Sequence, residues 1–320
     1  MNPEEIIVSI QCLAYNHEAY IRQCLDGFIM QKTTFRFEAI VHDDASTDGT
    51  ATIIKEYENR YPEIIKPIYQ TENQYSKKIY GLITRLVTQK CVGKYIAICE
   101  GDDFWTDPLK LQKQVVFLES HPDYSMCFHA VNLVKDNVAF KEDKLYKNAR
   151  DITIEQIIRG GGYFCSTNSL CFKRTVLLQP VPQFRKMADT GDYPLQIQLA
   201  LNGKVRYFPE IMGCYRVMSD NGWSARARAK GIPIRHYINM VEWLTELDKE
   251  TKGEYRNAIY YKLSNLMFRP MRFGQYPFDD FLLLFNQIKI RGLISSEYVK
   301  YSKMLFYVLA SKLIVFFKRL

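Results

Sequence analysis

Apolar residues in the first 135 positions follow two alternating rhythms. Compact runs at Ile6–Leu13, Phe37–Val41, Ile64–Tyr69 and Tyr95–Cys99 have the length and content of buried strands. Between them the spacing becomes helical. Ile21, Cys24, Leu25, Phe28 and Ile29 share one helix face, Ile53, Ile54, Tyr57 and Tyr61 another, and Leu109–Ser120 reads as a third helix. Strand and helix in alternation predict an α/β fold, a mostly parallel sheet lying between helices. From about 140 to 225 the pattern loosens into loops with short strands at Ser169–Phe172, Val205–Phe208 and Met212–Val217. A helix is expected to start near Pro194, and the chain from Ile232 onward reads as helical. No internal repeat is present.

Composition narrows the class without naming an activity. The chain has 320 residues, 47% hydrophobic and 24% charged, which excludes disorder, collagen-like sequence and a polytopic membrane protein. The net charge of +8 is carried entirely by the stretch after Arg226, where Lys and Arg are interleaved with large apolar residues. No nucleic-acid module accompanies them, so nucleic acid is not the expected partner. Most of the eight cysteines sit in or beside apolar runs with no CxxC spacing, and are expected to be buried free thiols. The start, MNPEEIIVSI, lacks a basic n-region and a cleavable apolar segment, which predicts a cytoplasmic location.

In parallel sheets ligands bind beyond the carboxyl ends of the strands. The segments there are AYNHEAY, HDDASTDGT and EGDDFWTDP. Glu100, Asp102 and Asp103 lie within four residues at the end of a strand, and like charges so close call for a cation or protons. A hard divalent ion such as Mg²⁺ or Mn²⁺ uses one or two carboxylates and completes its shell with phosphate and water. A solvated loop with Asp103 or Asp107 capping the next helix is the competing reading. In the second cluster Ser46 or Asp48 can cap a helix, which leaves Asp44 as the surplus acid.

The three segments together, in this order and spacing, resemble the family 2 glycosyltransferases of GT-A fold, especially bacterial enzymes of surface-polysaccharide synthesis. The resemblance extends over about residues 5–225. Thr190-Gly-Asp192-Tyr-Pro-Leu resembles the family's acceptor segment, and Gly213-Cys-Tyr215-Arg216-Val-Met218 with Asn221-Gly-Trp223-Ser its closing strand and loop. It implies a Rossmann-like catalytic domain over 1–225, with a nucleotide-sugar half (1–135) and an acceptor half (136–225), followed by a helical basic region (226–320). Ala14, Tyr15, Asn16 and Glu18 would border the nucleotide and Asp44 its base. Asp102 would lie by the ribose and diphosphate, Asp103 would bind Mn²⁺ or Mg²⁺, and Glu100 would complete the acidic motif. Asp192 would be the general base, with Asp189 its rival, and Trp105, Arg216 and Trp223 are acceptor or loop candidates. The chain departs from the pattern at Met218, where many relatives carry a His that a thioether cannot replace toward a hard cation.

The implied reaction is an inverting transfer from a nucleotide-diphosphate sugar, UDP-linked by expectation, to a saccharide or lipid-linked acceptor. Competing classes are a metal-dependent nucleotidyltransferase and a non-catalytic membrane-associated binding protein. Walker A and GxGxxG patterns are absent after any predicted strand, and Arg159-Gly-Gly-Gly-Tyr163 lacks the strand-turn-helix setting of either. Of the five histidines only His17 falls in a nucleotide-side loop. Near the end, Met304–Phe317 is apolar except for Ser311 and Lys312. Its helical length of ~21 Å falls short of a ~30 Å hydrocarbon core. Residues 301–320 are thus expected either to lie peripherally on the anionic inner face of the cell membrane or to pack within the protein.

Overall fold

The computed structural model describes residues 5–77, 81–217 and 232–272, together with 283, 284 and 287. The chain divides into two compact units, 1–232 and 233–320. In the first unit the elements run β1 (Ile6–Ala14), α1 (Ile21–Ile29), β2 (Arg36–Asp43), α2 (Thr50–Arg60), β3 (Ile65–Tyr69), α3 (Leu82–Lys90), β4 (Tyr95–Ile98), β5 (Phe104–Trp105) and α4 (Lys110–Ser120). They continue with β6 (Tyr124–Lys135), β7 (Val138–Asp143), β8 (Arg150–Ile152), α5 (Ile154–Gly160), β9 (Cys171–Lys173), α6 (Thr175–Leu178), α7 (Gln183–Met187), α8 (Asp192–Leu201) and β10 (Lys204–Arg216).

One sheet holds all ten strands in the order β3-β2-β1-β4-β9-β6-β10-β5, with β7 on β6 and β8 on β10. The first four are parallel. β9 enters antiparallel between β4 and β6, so the second half is mixed rather than continuing the parallel pattern. β6 and β10 are parallel to each other. Each parallel strand ends at the same edge, and the three polar segments named above gather there.

Two elements differ from expectation for a physical reason. The expected strands at 205–208 and 212–217 are one strand, β10, whose pairing with β6 shifts register between Phe208 and Ile211 and again before Gly213. Such bulges interrupt alternation without ending the ladder. Helix α8 begins at Asp192, two residues before Pro194. Proline is tolerated there because the first-turn N–H groups have no intrahelical partner.

The core between the sheet and α1, α2 and α4 contains Val8, Ile10, Leu25, Phe28, Val41, Leu111 and Leu118, all essentially inaccessible. All eight cysteines are buried and free, as expected. In the second unit α9 (Ile234–Glu250) and α10 (Arg256–Arg272) pack on each other. Their turn is closed by Arg256, which donates twice to Asp248 Oδ2, at 3.1 and 2.9 Å. Met218, Trp223 and residues 301–320 lie outside the described residues.

Candidate active site

The loops after β1 and β2 are stitched together by hydrogen bonds. Asn16 N–H donates to Ser46 Oγ (2.9 Å) and Thr47 N–H to Asn16 Oδ1 (2.8 Å). His17 N–H donates to Thr50 Oγ1 (2.8 Å), Glu18 N–H to Asp48 Oδ2 (3.1 Å), and Gly49 N–H to Glu18 Oε2 (2.9 Å). Asn16 and Ala45 both hold positive φ, 54° and 59°, a region that costs an L-residue roughly 1–2 kcal/mol. The surrounding bonds hold that strain in place. Glu18 thereby serves the N-terminus of α2, and Ala14, at the end of β1, accepts from Asp44 N–H at 2.9 Å. Tyr15, 39% exposed, is a large side chain of this rim that stays open, as do Glu18 and Thr47.

Asp44 is buried, and its carboxylate is shared between Gln74 N–H (2.7 Å) and Tyr75 N–H (3.0 Å). Nothing in the sequence linked Asp44 to residues 73–77. In the structure it fixes the turn at residues 73–77.

The acidic segment after β4 packs directly on the β1 loop. Gly101 N–H donates to Leu13 O at 2.8 Å, and a Cβ at Gly101 would stand 2.8 Å from His17 Nδ1 and 3.1 Å from Ala14 Cβ. Only glycine fits between Glu100 and Asp102. Asp103 is 1% exposed. Its Oδ1 accepts Arg216 N–H at 2.7 Å, and its Oδ2 is sealed from solvent without a hydrogen-bond partner. Burial, then Asp102, pushes the Asp103 carboxyl well above the usual range. Glu100 is pushed up to about 8 by burial, then by Asp102 and by Asp192. The His17 imidazole is lowered by burial against the opposing pull of Asp102.

Among the described residues no three His, Cys, Asp or Glu side chains converge as a ready cage for a cation. An orphaned carboxylate oxygen beside two further acids nevertheless fits a hard divalent ion that draws most of its shell from a ligand's phosphates. Asp102, half-buried, is the acid of the trio's DD pair that keeps access to solvent, whereas Asp103 lies beneath it.

Two of the acceptor or loop candidates are core residues. Trp105 is 2% exposed. It donates from Nε1 to Asn168 O at 2.8 Å and packs on Phe28 at 5.0 Å between ring centroids. Arg216 is 5% exposed, its guanidinium held between the rings of Tyr20 (4.8 Å) and Phe104 (4.7 Å). It donates to Asp102 O at 2.5 Å, to Asn137 Oδ1 at 3.2 Å and to Gln23 Oε1. Neither side chain is available to an acceptor. Arg216 instead straps the acidic segment to α1 and to the β6–β7 turn.

Asp192 is the first residue of α8, half-buried. Asp189 sits in the turn between α7 and α8. Asp192 lies close enough to Glu100 to raise its carboxyl.

Residues 9–177 match the family model described as glycosyl transferase family 2, and the chain belongs to that family. An uncharacterized protein of Mycobacterium tuberculosis is 37% identical over 219 residues, 68% of this chain and 60% of the relative. The chain thus spans about 60% of the length of those curated mycobacterial relatives. TuaG of Bacillus subtilis, named as a candidate teichuronic acid biosynthesis glycosyltransferase, is 25% identical over 225 residues, 68% of this chain and 84% of TuaG. Among solved structures, residues 1–349 of Staphylococcus aureus TarS in complex with UDP superimpose with a TM-score of 0.66 at 17% identity. That match covers 95% of this chain and 87% of the TarS chain, and gives the GT-A fold.

Proposed function

We propose that the protein transfers a sugar, with inversion, from a nucleotide-diphosphate donor, UDP-linked, to a saccharide or lipid-linked acceptor in cell-surface polysaccharide synthesis. The observation that carries this reading is the acidic segment at the strand edge, where Asp103 Oδ2 is sealed without a hydrogen-bond partner next to the more open Asp102. An inverting displacement needs one acid on the donor side and a base on the acceptor side. Support for the donor comes from TarS, solved with UDP, and for the pathway from TuaG, named for teichuronic acid biosynthesis. Catalysis is assigned to residues 1–225, with 1–135 serving the donor and 136–225 the acceptor.

Tyr15 and the stitched loops bearing Ala14, Asn16 and Glu18 border the nucleotide. Asp44 acts there by holding the 73–77 turn. Asp102 would hold a Mn²⁺ or Mg²⁺ ion, supported from beneath by Asp103. When bound, the ion offsets the negative charge that develops on the diphosphate leaving group. Asp192 takes the proton of the acceptor hydroxyl as its oxygen bonds to the anomeric carbon, and the bonding pair of the departing sugar–oxygen bond leaves with the nucleoside diphosphate. Glu100, kept largely protonated by burial and then by its acidic neighbours, spares the site a third negative charge.

The test is turnover of UDP-sugars with and without Mn²⁺ in Asp192→Asn and Asp189→Asn, with UDP affinity measured by calorimetry. Asp192→Asn should lose a factor of ~10² or more in turnover with UDP affinity retained, and Asp189→Asn should stay near wild type. Normal turnover in Asp192→Asn with a collapse in Asp189→Asn moves the base to Asp189. Absence of metal-dependent UDP binding overturns the donor assignment.

A further inference from the structure

The Arg159-Gly-Gly-Gly-Tyr163 run lacks the setting of a Walker A or GxGxxG loop, yet the fold carries it to Asp192. Helix α5 opens with a complete capping box between Thr153 and Gln156 and closes into the three glycines. A Cβ at Gly160 would collide with the Phe164 ring at 2.3 Å, and Gly161 turns the chain with φ of 78°. The turn is fixed on both sides. Tyr193 OH donates to Ile158 O at 2.5 Å, Phe164 N–H to Gly161 O at 2.9 Å, and Gln196 Nε2 to Cys165 O at 2.9 Å. Gly162 then runs against the start of α8, where a Cβ would lie 3.4 Å from Tyr193 Cβ and 3.6 Å from Asp192 Oδ2. A side chain longer than a methyl group at 162 would grow over the Asp192 carboxylate, so glycine leaves that approach clear.

Tyr163, the next residue, is 61% exposed although the turn bearing it is pinned. It follows directly on Gly162, where a Cβ would approach the Asp192 carboxylate, and it is near enough to Tyr215 to act electrostatically on that hydroxyl, more weakly than Asp103, Glu100 and Asp102 do. A large aromatic side chain in water on a rigid turn is poised to cover an apolar surface at little entropic expense, since only two χ angles need ordering. A pyranose ring offers such a surface. Its axial C–H bonds, polarised by neighbouring oxygens, face the negative π-cloud while its hydroxyls point outward to polar partners.

Resting on the assignment of Asp192 as base, we infer that Tyr163 and the Gly160–Gly162 turn form the acceptor subsite, and that the acceptor's terminal residue is a pyranoside stacked on Tyr163 with its hydroxyl beside Asp192.

The experiment is saturation-transfer NMR on the full chain loaded with UDP and Mg²⁺. The probes are methyl β-D-glucopyranoside, methyl β-D-galactopyranoside and methyl α-D-mannopyranoside, tested against wild type, Tyr163→Phe and Tyr163→Ala. At least one probe should receive saturation chiefly at its axial C–H positions. Tyr163→Phe should keep its affinity within about twofold, and Tyr163→Ala should weaken it tenfold or more with unchanged UDP affinity. Equal binding by wild type and Tyr163→Ala, or no pyranoside binding to the UDP-loaded wild type, overturns the subsite alone. Failure of the wild type to bind UDP overturns the donor reading as well, so the two failures are told apart by the UDP titration.

Discussion

The backbone N–H of Arg216 donates to Asp103 Oδ1 at 2.7 Å, joining two residues 113 positions apart in the chain. The same arginine sends its guanidinium to the Asp102 carbonyl. Both atoms of the acidic segment that Arg216 touches are thus held by the final residue of β10, and the geometry of the acids depends on that strand's end.

Replacing Arg216 should loosen the acidic segment without unfolding the sheet. Hydrogen bonds from a charged donor contribute about 1.5–3 kcal/mol, and Arg216→Met loses those to Asp102 O, Asn137 and Gln23 together with its place between two rings. Arg216→Lys keeps the charge but not the planar fork. UDP affinity in the presence of Mn²⁺ should fall tenfold or more in Arg216→Met and less in Arg216→Lys, by calorimetry. Unchanged affinity in both would show that the strap does not position the acids.

His129 sets an acid-side limit on stability. It is buried, Nδ1 lies 2.8 Å from Ala130 O, and Nε2 has no partner. Burial first, then Lys110 and, more weakly, Lys113 lower its pKa to about 3 against a hydrogen bond to Ala130 that raises it. A group depressed in the folded state contributes stability that is complete above the unfolded value of 6.5 and is lost as pH falls toward 3. The slope is at most about 1.4 kcal/mol per pH unit. Urea melts between pH 7 and 4 should show a shallower decline for His129→Gln than for wild type. Parallel curves would contradict the assignment.

Lys110 is a buried cation that stability would gain by losing. It is fully enclosed, with Nζ 3.8 Å from the Trp105 ring centroid and without a hydrogen-bond partner. Burial lowers its pKa to about 8 from 10.5. Folded-state depression means that the penalty is absent above 10.5, grows as pH falls to 8, and is constant below. A shift of that size corresponds to about 3 kcal/mol, of which the ring contact returns ~1–2. Lys110→Met should therefore be about 1–2 kcal/mol more stable at pH 7, and the gain should vanish by pH 10.5, as read from denaturant midpoints. A destabilised variant at pH 7 would show that the ammonium is needed where it lies.

The parallel half was legible because its strands are short apolar runs bounded by polar turns, and the acids after β1, β2 and β4 fall at the sheet edge where ligands gather. Strand β6 was not. Both its faces are buried, so Ser125 and His129 sit in the interior among Met126, Cys127 and Phe128 and no alternation marks it. Trp105 and Arg216 were acceptor or loop candidates by resemblance alone, and their burial comes from Phe28, Tyr20 and Phe104, contacts made only on folding. The service of Asp44 to residues 74 and 75, and the approach of Gly162 to Asp192, likewise arise from tertiary neighbours that no local pattern encodes.

The two left-handed residues, Asn16 and Ala45, have a consequence for the timing of order. Each stands in a loop clasped to the other by main-chain donors and side-chain acceptors. The conformational entropy of both loops is therefore surrendered once, when the chain folds, and not again at each encounter with a ligand. A rim that already has its final shape can devote the contact energy of an arriving ligand to holding it rather than to organising the receptor.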